Sequence, residues 1–231
     1  MTVYPSPNLR QRCWSYFKPI TLLRLNSPRN GLISVRLSYG RCQFLVVGAV
    51  QVGGVADRRF HQTLSLCRTL FPHFSPQTGL ILGYGGGGLA TALMSVWPRL
   101  SLTGVDHDPV IVALGQFYLA PPTKVNLVIA DAFSWIETNR RPYDLIYLDL
   151  FRGFTPPARL TTKPFLTQIK AGLTATGLAI INYYDPAPQS ASVIQLSQSA
   201  TAVFGQVIVR SILENQIFFL TPGKMSEESI Q

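Results

Sequence analysis

The stretch "LILGYGGGGLA" at residues 80–90 constrains the fold more than any other part of the chain. A strand-length apolar run meets four consecutive glycines, then a helical pattern through Leu89, Leu93 and Trp97. Glycine loses more backbone freedom on folding than any other residue. Four in a row inside an ordered fold therefore mark a turn that needs unusual dihedrals or very close neighbours. Strand, glycine turn and helix together open a parallel α/β unit.

The downstream sequence repeats that alternation. "LSLTGVD", "VNLVIAD", "YDLIYLDL" and "GLAIINYY" read as strands. Helical segments separate them: "DPVIVALGQFYL", with Asp108 as cap and Pro109 at the first helical position, the short "SWIETN", and "PFLTQIKAGL". The helix "SASVIQLSQSATAVF" and a closing β pair, "GQVIVRSI" with "NQIFFLTP", complete the pattern. Upstream, "ITLLRL", "LISVRLSY" and "CQFLVVGAVQV" are β-rich and separated by turn signals, which predicts a small antiparallel unit. A helix then starts at Asp57, read as its N-cap, with Phe60, Leu64, Cys67 and Phe71 at helical spacing. The expected fold is α/β: a doubly wound, mostly parallel seven-stranded sheet preceded by a small antiparallel β unit. Its expected parts are an irregular arm (1–18), the β unit (19–56), the main domain (57–222) and a tail (223–231).

Composition narrows the function classes. Of 231 residues, 47% are hydrophobic and 13% charged, which suits an ordered globular chain, and no apolar run reaches membrane-spanning length. The three cysteines (Cys13, Cys42, Cys67) have no metal-ligand spacing, so they read as reduced thiols in a cytoplasmic protein with no metal. The formal net charge of +9 favours anionic partners, but the basic residues are scattered without interleaved aromatics. Nucleic acid is accordingly the lesser reading, a small-molecule acceptor is preferred, no membrane partner is expected, and a homodimer is left open.

The glycine loop fits G-x-G-x-x-G through Gly83, Gly85 and Gly88, and G-x-G-x-G through Gly83, Gly85 and Gly87. Either form lets a ligand approach the backbone and aims amides from the helix N-terminus at it. The acids strengthen the nucleotide reading. Asp106, Asp131 and Asp149 end successive strands and Asp185 follows the next, on the one rim where ligands of open α/β sheets bind. Asp106 is placed to accept bonds from ribose hydroxyls, and "DAF" sets the Asp131 carboxylate beside the Ala132 amide for an adenine edge. The β unit before the glycine strand and the β pair at the end favour an S-adenosylmethionine sheet over a nicotinamide one.

These segments resemble the spermidine synthase family, the polyamine aminopropyltransferases with a class I methyltransferase-like fold. The likeness runs from about Leu32 to Pro222. It rests on "YGRCQFLVVGAVQ", "RRFHQTL", "LILGYGGGG", "VDHDPVIVAL", "VIADAFSWI", "YDLIYLDLF" and "LTATGLAII". The resemblance implies S-adenosylmethionine, or its decarboxylated form, as cofactor. It puts Asp106 on the ribose, Asp131 and Ala132 on the adenine, His61 in the segment that touches the nucleoside, and Asp149 as acceptor of the amine's proton.

The chain also departs from the family pattern. Gly86 stands where the family's loop carries an acid for the cofactor's amino group, and Arg152 stands where a second acid grips the diamine. Arg58, Phe60 and Gln62 replace other acids and a tyrosine. A dicationic substrate needs carboxylates when its ammonium groups lose water. The sequence reading therefore favours a methyltransferase with an unknown acceptor. Its alternatives are an aminopropyltransferase with altered substrate acids and a nucleoside-binding homologue without catalysis.

Overall fold

A computed structural model describes residues 4–223 except Thr123 and Arg152. The tail from 224 onward and the Arg152 reading thus lie outside the described residues. The arm contains a short helix, α1 (Leu9–Trp14), started by Asn8, whose side chain accepts from the Gln11 amide while the Gln11 side chain accepts from the Asn8 amide. This capping box was not read from the sequence.

The N-terminal unit is a four-stranded antiparallel sheet in the order β1 (Ile20–Ser27), β2 (Gly31–Ser38), β3 (Arg41–Val46) and β4 (Ala49–Val52). The sequence suggests three strands because "CQFLVVGAVQV" reads as one β-rich run. Its third run instead folds back at Val47 and Gly48, both at positive φ (48° and 85°). Val35, Phe44, Val46 and Val52 point into the core shared with the main domain.

Helix α2 (Val55–Leu70) buries Phe60, Leu64 and Cys67 on one face. Its N-cap is Gly54 rather than Asp57. Asp57 sits in the first turn and reaches back to accept the Gly53 amide at 3.1 Å, so the carboxylate still serves the helix start from inside it.

The main sheet has seven strands. In sequence order they are β5 (Thr78–Leu82), β6 (Ser101–Asp106), β7 (Val125–Ile129), β8 (Tyr143–Leu148), β9 (Leu173–Tyr184), β10 (Gln206–Ile212) and β11 (Asn215–Thr221). Their spatial order is β10-β11-β9-β8-β5-β6-β7. The pairs from β9 to β7 are parallel, while β11 is antiparallel to both β9 and β10. The closing β pair thus inserts its last strand antiparallel. Helices α3 (Gly88–Val96), α4 (Pro109–Tyr118), α5 (Ala132–Thr138), α6 (Lys163–Ala171) and α7 (Ala191–Val203) supply the crossovers. Ile81, Tyr147 and Ile180 face one apolar cluster and Leu82, Ile146 and Ile181 the other, so the central strands are buried on both sides.

The first unit is fastened to the second at the rim. Asp108 caps α4 and is fully buried; its Oδ2 accepts Ser27 Oγ at 2.6 Å and Asn30 Nδ2 at 2.7 Å from the end of β1. Gln51 of β4 donates to the Gly153 carbonyl at 3.0 Å, beyond β8. Both links lie at the carboxyl ends of the strands. No helix among the described residues is long and apolar enough to cross a membrane.

Candidate active site

The glycines of the loop have different duties. Gly83 lies at φ +92°, and a Cβ there would run into the Asp149 carbonyl group, 2.8 Å from its carbon. Gly87 caps α3 in the left-handed conformation, at φ +86°, with the Tyr84 hydroxyl and Pro121 pressed against it. Gly85, at φ +56°, has nothing within 4 Å of where its Cβ would be. The first two keep the turn tight, while Gly85 faces open space. Gly86 is closed off, since a Cβ there would meet Phe44 at 2.7 Å and Val52 at 3.1 Å. The β unit fills the place where the family resemblance expects an acid.

Asp106 ends β6 and is buried, with Oδ2 accepting the Gly85 amide at 2.7 Å and Oδ1 the Asp108 amide at 2.9 Å. Burial pushes its carboxyl above the ordinary range, against those two N–H groups and the nearby His107. Asp106 therefore ties the glycine loop to the next helix while still facing a cleft of about 390 Å³. Gly83, His107, Asp131, Ala132 and Phe133 also line that cleft. Asp131 is exposed and caps α5, accepting the Ser134 amide and hydroxyl at 2.9 and 3.0 Å. Ala132, the first residue of α5, is buried beside it.

Asp149 lies just past β8, half-buried, in a narrow cavity of about 60 Å³ that it shares with Gly83, Gly85, Asp106 and Gln51. Asn182 Nδ2 donates to its Oδ1 at 2.6 Å, and Asn215 Nδ2 donates to Asn182 Oδ1 at 2.7 Å. Arg59 Nη1 in turn donates to Asn215 Oδ1 at 3.3 Å. The result is a chain of oriented polar groups running from a guanidinium to a carboxylate. Burial pushes the Asp149 carboxyl above its ordinary range, opposed by the charge of Arg59 and by the Asn182 bond. Next to the narrow cavity a larger one of about 440 Å³ opens between β4, α2, the segment after β8 and the β10–β11 turn. Gln51 and Phe151 border both this cavity and the narrow one.

The structure thus brings Gly83, Gly85, Asp106, Asp131, Ala132 and Asp149 to one rim, with Gly87 shaping the loop beneath. It does not bring His61 there. That side chain is on the exposed face of α2, while Phe60 and Arg59 face the cavities. Asp185 is also a local cap, accepting Ala187 N, Ser190 Oγ and Ser192 Oγ at 2.9, 2.6 and 2.9 Å. Arg59, Asn182 and Asn215 are missed by sequence reading. Their signal is weak: two asparagines inside or beside apolar strands, where an amide needs a buried partner.

The spermine/spermidine synthase domain matches residues 61–230. A probable polyamine aminopropyl transferase from Bifidobacterium longum is 27% identical over 66% of this chain and 35% of its own length. A polyamine aminopropyltransferase from Vibrio vulnificus is 32% identical over 57% of this chain and 44% of its own. The chain therefore spans less than half the length of these two curated relatives. Among solved structures, a spermidine synthase in complex with the transition state analogue AdoDATO superposes with a TM-score of 0.73 at 17% identity, covering 88% of this chain and 74% of that one. Human methyltransferase-like protein 13 in complex with SAH superposes with a TM-score of 0.64 at 22% identity, covering 74% and 87%. The fold is thus the Rossmann-like one common to both. The two curated relatives are named as aminopropyl transferases, and the human structure as a methyltransferase-like protein. On the domain match, this chain belongs to the spermine/spermidine synthase family.

Proposed function

We propose that this chain transfers an aminopropyl group from a decarboxylated S-adenosylmethionine-type cofactor to an amine. The observation that carries the reading is the position of Asp149. It lies in the narrow space between a nucleoside-sized cleft and a second, largely apolar cavity, with its carboxylate oriented by Asn182.

The residues on the rim fit the cofactor. Gly85 leaves its ligand-facing side open, Asp106 turns a carboxylate into the cleft, and Ala132 presents the first turn of α5 there. In this reading Asp106 holds the ribose, and Asp131 with Ala132 frames the adenine. The bound cofactor supplies the electrophilic carbon next to its sulfonium. An amine attacks only after losing a proton, and Asp149 is the group placed to accept it. Its raised affinity for a proton is the direction that role needs. Positioning supplies much of the remaining acceleration.

Methyl transfer is the second reading, favoured by the closing of Gly86 and by the fold shared with the methyltransferase-like structure. The nucleoside product separates the two. The full chain is incubated with each cofactor form and a panel of amines, followed by mass spectrometry. The proposal expects 5′-methylthioadenosine; accumulation of S-adenosylhomocysteine with a methylated acceptor would replace it by the second reading.

A further inference from the structure

We propose that the cavity beyond Asp149 takes an amine that carries a carboxylate at its other end, received by Arg59, rather than a diamine. The inference rests on the transferase reading above and names its acceptor class.

The cavity of about 440 Å³ is walled mainly by apolar and aromatic groups, among them Val50, Val55, Phe154 and Leu213. Among the described residues, its charged lining side chains are Arg59 and Glu214. Glu214 is exposed in the β10–β11 turn, and its carboxylate is within 3.4 Å of the Tyr184 hydroxyl. Arg59 is half-buried and has no carboxylate within 4 Å among the described residues. It gives one N–H to Asn215, and its Nε is enclosed without a partner. A guanidinium in a partly desolvated apolar wall repels an ammonium and recruits a planar anion, which it binds with two parallel N–H groups.

The chain Arg59–Asn215–Asn182–Asp149 then links recognition to chemistry. Arg59 acts on Asp149 in the direction that disfavours its protonation. An acceptor carboxylate paired with Arg59 offsets that charge and so strengthens Asp149 as a base when the amine arrives. The arriving ammonium first gives its proton to Asp149, which frees the nitrogen lone pair. That pair then forms the bond to the transferred carbon as the C–S bond breaks and its electron pair goes to sulfur.

The test uses matched ligands that differ only at the far end: ω-amino acids of three to six carbons against diamines of the same length. Each is titrated calorimetrically into the full chain saturated with 5′-methylthioadenosine, or with S-adenosylhomocysteine if the product assay selects methyl transfer. Binding of the nucleoside alone reports on the transferase reading and is scored separately. We expect at least one ω-amino acid to bind tenfold or more tightly than its diamine, and Arg59→Met to abolish that preference while leaving nucleoside affinity within twofold. Equal or tighter diamine binding, an unchanged preference in Arg59→Met, or no ω-amino acid binding beside a normal nucleoside response would each overturn the proposal. The wild-type comparison needs no variant, so a poorly folded Arg59→Met leaves it decidable.

Discussion

Alanine placed at Gly83 and at Gly85 in turn separates a glycine that serves the turn from one that serves a ligand. At Gly85 the backbone sits at φ +56°, close to the left-handed minimum, and an added methyl meets nothing within 4 Å. The penalty is then only the left-handed conformation, about 1–2 kcal/mol. For a domain of this size that is a fall in Tm of roughly 2–8 °C. At Gly83, φ is +92° and the methyl would lie 2.8 Å from the Asp149 carbonyl carbon, with backbone rather than a flexible side chain in its way. Overpacking adds about 1–3 kcal/mol to the conformational term, giving a loss of roughly 2–5 kcal/mol. Because Asp149 N donates to Leu82 O at 2.8 Å just beside this contact, the β5–β8 register would shift with it. Thermal unfolding and nucleoside titration read the two effects apart. Gly85→Ala should stay folded and lose nucleoside affinity by tenfold or more, whereas Gly83→Ala should lose stability first. Unchanged nucleoside affinity in Gly85→Ala would mean that its open side is not a ligand's path. A Gly83→Ala protein as stable as the wild type would refute the close-approach argument.

Asp149→Asn should keep nucleoside affinity within a few-fold and cut turnover by roughly 10²–10⁴, measured by single-turnover product formation. Asp149 holds its proton more tightly when folded, so its contribution to stability falls as pH rises from about 4 toward its raised value. The Asn variant should lack that fall in urea unfolding across the same range, and a parallel pH profile would contradict the burial argument. Asp106→Ala removes the acceptor for the Gly85 and Asp108 amides. It should therefore cost about 2–5 kcal/mol of stability from two unsatisfied donors, besides weakening nucleoside binding by about 1.5–3 kcal/mol. Unaltered affinity by calorimetry would remove Asp106 from the ribose. Asp144 lies far from the rim. Partial burial alone would raise its carboxyl, but bonds from the Thr78 and Gln77 amides and from the Thr78 and Thr174 hydroxyls hold it below the ordinary range. Its stabilisation is present above about pH 4 and lost as pH falls through the lowered value. Asp144→Ala should accordingly cost about 1–3 kcal/mol at pH 7, allowing for solvent screening, and progressively less in acid.

Much of this protein is determined by short-range pattern. Buried strands alternating with amphipathic helices dictate a parallel sheet, and the glycine run dictates the tight turn between its first strand and helix. Strand direction alone then carries Asp106, Asp131 and Asp149 to one rim, because each ends a parallel strand. The cap at Asp108 with Pro109 after it is equally local. These features follow from groups a few residues apart, so a linear reading can find them.

Other features were decided only by the folded chain. The hairpin at Val47–Gly48 hides inside one β-prone run, whose two strands bury Phe44, Val46, Ala49 and Val52. His61 falls on the solvent side of α2 because Phe60, Leu64 and Cys67 claim the core face, which turns Arg59 toward the second cavity instead. Gly86 has no room for a side chain because Phe44 and Val52, from another sheet, occupy it. Asn182, Asn215 and Arg59 meet across separations of 33 and 156 residues. No periodicity encodes such meetings: a buried amide or guanidinium must find a partner somewhere, but which one depends on strands that become neighbours only when the sheet closes. Composition and spacing bring Asp149 to the rim, while packing decides what charge stands behind it.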